Sequence, residues 1–118
     1  MTILEVAVRL VELARKGDYE TAQNELFATD AVSIEPANSP GMQTVVGLEA
    51  IIAKGKHFQG MIEEVHHTSI SNPIVGGSHF SISLILDVTL KGMGRTLMEE
   101  ICVYKVSEGE IVSEQFFY

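Results

Sequence analysis

From Thr2 to Lys16 apolar residues recur three and four positions apart, at Ile3, Val6, Ala7, Leu10, Leu13 and Ala14. That period predicts a helix with one apolar face, which Leu4, Val8 and Val11 widen. Arg15 and Lys16 suit the negative end of such a helix, and Gly17 is a natural stop. Asp18 reads as the cap of a second, shorter helix through about Phe27, with Tyr19, Ala22, Leu26 and Phe27 facing inward. Thr29 to Glu35 reads as a short strand closed by Pro36, and Ala37 to Met42, with Asn38, Ser39, Pro40 and Gly41, as loop. A third helix is predicted from about Leu48, with Leu48, Ile51, Ile52, Gly55, Phe58 and Met61 as its apolar face. Gly55 is expected to let this helix sit close to the sheet.

The period then changes to two. Glu64 to Val75 reads as strand, Gly76-Gly77 as a turn, and three long strands follow at Ser78 to Leu90, Arg95 to Val106 and Glu110 to Tyr118. Gly92-Met93-Gly94 and Glu108-Gly109 sit between them as hairpin turns. In the first long strand the even positions Phe80, Ile82, Leu84, Leu86, Val88 and Leu90 must face the core, whereas the odd ones are mild and mostly uncharged. In the second, Met98, Cys102 and Val106 lie on one face and Leu97, Ile101 and Val103 on the other. A sheet that is apolar on both sides, with helices for only one, predicts a homodimer formed through the sheet. The order of elements gives a single domain over residues 1–118, of α+β class, with three N-terminal helices on a curved, mostly antiparallel sheet.

Composition narrows the partners. The chain is 46% hydrophobic, so it forms a packed globule, and its formal net charge of -8 repels phosphates. Nucleic acid and anionic membranes are therefore not expected partners. Glu5 and Arg9 interrupt the early apolar residues, so no signal peptide is read there, and no apolar run could span a bilayer. One cysteine, Cys102, allows no internal disulfide and fits a reducing cytoplasm.

The run Leu26-Phe27-Ala28-Thr29-Asp30-Ala31-Val32-Ser33-Ile34-Glu35-Pro36, the entry Val46-Gly47-Leu48-Glu49-Ala50-Ile51 and the ending from Gly109 through Tyr118 resemble the nuclear-transport-factor-2-like superfamily. That superfamily includes ketosteroid isomerases and SnoaL-like polyketide cyclases, and the resemblance covers nearly the whole chain. It implies a cone-shaped, cystatin-like fold with a pocket between the helices and the concave sheet. Glu35 falls where ketosteroid isomerases keep their carboxylate base. The isomerase's phenol has no counterpart, since the first helix carries no Tyr. Its protonated acid on the penultimate strand is matched by Cys102, with Glu100 two residues earlier on the same face. The acidic residue of the cyclases could correspond to Asp87, Glu99 or Glu100.

The candidate catalytic residues are Glu35, Glu100, His57 and Glu114. Glu35 would be a general base with a pKa raised by an apolar pocket; the alternative is a rim carboxylate ending a strand. Glu99 and Glu100 are neighbours on a strand and must point to opposite faces, and parity places Glu100 with Met98, Cys102 and Tyr104 on the pocket side. Glu114, alternating with Phe116 and Tyr118, either joins that cavity or pairs with Lys105 or Arg95 on the sheet surface. His57 would relay protons from the third helix or lie in solvent. Phe58, Met98, Cys102, Tyr104, Phe116 and Tyr118 are the candidate ligand-binding lining. Cys102 reads better as a small buried hydrophobe than as a nucleophile. His66 and His67 point to opposite faces and no histidine pair has helical spacing, so no metal site is expected, and no cofactor motif is present. Two readings stay open. One is an isomerase, cyclase or dehydratase that needs no cofactor and uses carboxylate acid-base chemistry on a small apolar or polycyclic molecule. The other is a non-catalytic dimeric module that binds a ligand or a protein.

Overall fold

The computed structural model describes residues 1–118. Helix α1 spans Ile3–Arg15 and α2 Tyr19–Leu26; β1 (Phe27–Ile34) and the two-residue β2 (Val45–Val46) precede α3 (Leu48–Met61). Then come β3 (Ile62–Ile70), β4 (Ile74–Gly76), β5 (His79–Leu90), β6 (Gly94–Ser107) and β7 (Glu110–Phe117). The strands form one sheet in the order β2-β1-β7-β6-β5-β3, with β4 also on β5. Every pairing is antiparallel except β1 on β7. Three helices thus pack on one face of a curved, unclosed, mostly antiparallel sheet. No helix is long and apolar enough to cross a membrane.

Thr2 and Glu5 close a reciprocal capping box at the start of α1, which satisfies two of the amide donors left free at a helix N-terminus. Val6, Ala7, Leu10, Val11, Leu13 and Ala14 are buried, while Leu4 and Val8 stay exposed. The widened face expected for α1 is therefore corrected: only Val11 joins the buried stripe, since the sheet covers one side of a helix. Asp18 holds the cap position of α2, but its side chain makes no capping bond. The second helix ends at Leu26, and Phe27 already belongs to β1.

The strand expected over Glu64 to Val75 is two strands. Ser71 still donates its amide to the Ser83 carbonyl at 3.0 Å, and the ladder breaks at Asn72-Pro73, where Pro73 has no amide to donate. Gly55 does not serve a close approach to the sheet, because a Cβ there would meet the Gln23 side chain of α2 at an ordinary 3.6 Å. Gly47, at φ +99°, does need its missing side chain: it turns the chain into α3 while its amide donates to the Ala31 carbonyl at 2.7 Å. The main core joins the inner faces of α1 and α2 to Phe27, Ala31, Phe80, Ile82, Cys102, Tyr104 and Ile111. Phe80 and Tyr104, opposite each other in the β5–β6 register, stack with ring centroids 4.8 Å apart.

Candidate functional site

Beyond that core the helices and the concave sheet diverge around a cavity of about 600 Å³. Its walls are mainly apolar, with Ile82, Leu84, Leu86 and Val88 from β5, Met98 from β6 and Phe58 from α3. The uninterrupted β5–β6 register delivers these side chains, because Leu84 pairs with Glu100 and Leu86 with Met98 on the same face.

The polar groups gather where β1, β7 and β6 run side by side. Ser33 of β1 lies opposite Glu114 of β7, and Glu35 follows β1 directly. Lys54 of α3 reaches down to them. Its ammonium donates to Glu35 Oε2 at 2.8 Å, Ser33 Oγ at 2.7 Å and the Gln43 carbonyl at 3.1 Å. The Tyr118 hydroxyl donates to the other Glu35 oxygen at 2.6 Å and also meets Ser39 of the β1–β2 loop. Side chains of Glu35 and Lys54 are only 5% and 11% exposed, so this is a buried ion pair with both carboxylate oxygens occupied.

The other two carboxyls differ from Glu35. Burial, reinforced by the negative charge of Glu35, pushes the Glu100 carboxyl up to about 7, with Lys54 pulling the other way. Burial also pushes Glu114 up to about 7, against the Ser33 hydroxyl and the Lys54 ammonium, which hold it down. Burial followed by the Glu35 hydrogen bond pushes the Tyr118 phenol up to about 12. Burial pushes the Cys102 thiol well above its usual range, and the nearby Glu100 and Glu114 add to this, so it remains a thiol and no nucleophile. The Glu100 carboxyl makes no hydrogen bond or ion pair within the protein and lines the cavity half-buried.

Glu35, Glu100 and Glu114 therefore meet in one cavity, along with Phe58, Met98, Cys102, Tyr104, Phe116 and Tyr118. His57 does not: it is exposed and no part of the lining, so its relay role is withdrawn. His66 is also outside, against Thr89 at 2.7 Å. Lys54 and Ser33 are the polar groups that sequence reasoning missed. Lys54 had a signal, since it stands three residues after Ile51 and four before Phe58, a cation on the apolar stripe of α3.

Comparison with known proteins places this geometry. The family model for the SnoaL-like domain matches residues 1–118. A Mesorhizobium loti protein, described as a candidate SnoaL-like polyketide cyclase, is 37% identical over 100% of both chains with a TM-score of 0.91. A Catenulispora acidiphila protein of ketosteroid isomerase-like fold, solved with trimethylamine, is 26% identical over 95% of this chain and 84% of its own, at TM-score 0.73. A nuclear-transport-factor-2-like protein of unknown function from Burkholderia pseudomallei shares the fold at 19% identity, with a TM-score of 0.79 over 100% of this chain and 92% of its own. No curated protein matches the chain. Matched from its first residue to its last, the chain belongs to the SnoaL-like domain family, on a nuclear-transport-factor-2-like fold.

Proposed function

We propose that the chain binds a small, mostly apolar molecule in the cone and exchanges a proton with it through Glu100, without a cofactor. The observation that carries this is the unpartnered Glu100 carboxyl, poised near neutrality in an apolar cavity beside a fixed Glu35–Lys54 pair. A base or acid works best when its pKa lies near the working pH. Glu100 meets that condition and has free oxygens, whereas both Glu35 oxygens already accept hydrogen bonds. Glu35 is thus a positioning residue whose charge helps keep Glu100 near neutrality. Ionised Glu100 would take a proton from a carbon next to a carbonyl, leaving an enolate and a neutral Glu100, and return it to another carbon of the same molecule. The net reaction is an isomerisation that consumes nothing. Protonated Glu114 is the neutral acid in this site that could face the enolate oxygen.

The test is hydrogen–deuterium exchange at carbon. Cyclic ketones and enones that bind in an NMR screen are incubated with the protein in deuterated water. Loss of C–H signal with wild type, and its absence with Glu100→Gln, is the expected result. Binding with no exchange for any ketone would favour a carrier module, the reading that the fully occupied Glu35 oxygens support.

A further inference from the structure

The polar end of the cavity is unequal in its charges. Its single ammonium, Lys54, has three N–H donors, and all three are spent on Ser33, Glu35 and Gln43. No cationic donor is left there for an anionic ligand. The carboxyl side is not spent in the same way, because Glu100 opens on the cavity with no protein partner, and Glu114 stands behind it. Around these groups lie aromatic rings. All three tyrosines of the chain, Tyr19, Tyr104 and Tyr118, line the cavity, as do Phe58 and Phe116. Phe116 already presents its ring to a cation, with Lys54 Nζ 5.6 Å from its centroid. An unpartnered carboxyl in a cavity lined by aromatic rings can recognise alkylammonium groups, through charge and the negative faces of the rings.

From this imbalance we infer that the ligand carries a basic or quaternary nitrogen on an apolar body, with the nitrogen placed against Glu100 and the body along the β5 wall. The inference rests on the reading of the cone as a small-molecule site. The charge of the whole chain, -8, also draws cations rather than anions to its surface. At the exposed rim Arg15 is held by the Ile70 carbonyl and Asn72, 2.8 and 2.9 Å from its guanidinium, and Lys16 lies 3.8 Å from Glu12. Pairing with the nitrogen engages the same carboxylate that a base must keep free, so a cation bound at Glu100 blocks proton exchange there.

Binding of such a cation competes with protonation of Glu100. The groups that bear on that proton are Glu35 after β1, Lys54 on α3, Glu114 on β7, Cys102 and Tyr104 on β6 itself, Tyr19 on α2 and Tyr118. Glu114 also titrates near 7, and it shifts in the same sense.

The experiment measures calorimetric affinity for three probes that share a benzyl group: cationic benzyltrimethylammonium, neutral benzyl alcohol and anionic phenylacetate. The cation is expected to bind best, and its affinity to rise about tenfold from about pH 6 to about pH 8, as a carboxyl near 7 ionises. Glu100→Gln, checked for an unchanged fold by circular dichroism, is expected to flatten that rise and to leave the neutral probe unaffected. A neutral probe or phenylacetate binding as tightly as the cation overturns the inference while leaving a small-molecule site in place. A cation affinity that does not change with pH also overturns it, and this reading needs no variant. Failure of all three probes to bind overturns both the inference and the small-molecule reading beneath it.

Discussion

At the scale of residues the decisive contact is the pair formed by Lys54 and Glu35. Two buried charges stabilise little in net terms, because each has lost its water, yet removing one leaves the other stranded. Lys54→Met should therefore cost about 3–5 kcal/mol in denaturant unfolding. The double change Lys54→Met with Glu35→Gln should recover much of it, since no unpaired charge remains. A double variant as unstable as the single one would show that the loss comes from packing of the lysine stem. Glu114 gives a second prediction. Its folded value of about 7 lies above the ordinary 4.5, so the native state keeps a proton that the unfolded chain releases. The sign follows: its contribution is full below about pH 4.5 and is lost as the pH rises through about 7. Unfolding free energy should fall by at most about 3 kcal/mol across that window from this group. Glu114→Gln should remove this part of the profile measured by urea titration at several pH values and leave the part due to Glu100, which is also raised to about 7.

At the scale of elements, legibility followed the strength of each periodic signal. β5 and β6 alternate over 12 and 14 residues with no bulge between them, so parity alone placed Glu100 inside and Glu99 outside. The boundary at Phe27 was not legible, because Leu26-Phe27-Ala28 suits a helix end and a buried strand equally. β2 has two residues and offers no period at all. The exposed Leu4 and Val8 misled for a related reason: hydropathy reports what could be buried, not how much of a helix its neighbours reach. Lys54 went unread although it is a charge on an apolar stripe, because its three partners come from two other segments that sequence spacing does not connect. The turn into α3 carries its own prediction. Gly47 sits at φ +99° and ψ 143°, a region nearly closed to other residues. Gly47→Ala should destabilise by about 1–3 kcal/mol in thermal or chemical unfolding. No loss would mean that the backbone relaxes there without giving up the bond to Ala31.

At the scale of the whole molecule, the outer face of the sheet is the surface left to explain. Leu97, Ile101 and Phe117 are about half exposed or more there, at 61%, 47% and 49%. The charged residues on the same face include Asp87, Glu99 and Glu64 with Arg95 and Lys105, and Arg95 forks onto Asp87 at 3.0 and 2.8 Å. Arg95 and Lys105 offset much of this acid on a molecule that is acidic as a whole, so a second copy would meet less repulsion here than elsewhere. We propose a homodimer through this face. Ile101→Lys should convert it to a monomer in light scattering coupled to size exclusion, with the cavity unaffected. A wild-type monomer at high concentration would refute the proposal.

The parallel seam between β1 and β7 has a consequence for timing and cooperativity. It brings Tyr118 onto Glu35 across 83 positions of chain, and sets Glu114 beside Ser33. Such a contact closes a long loop, so it forms late and cannot persist when the rest of the domain opens. The cavity floor is therefore part of the global unfolding unit and no independent flap. Amide protons along β7 should exchange with solvent at rates set by complete unfolding, and any occupant of the cone should slow them all together.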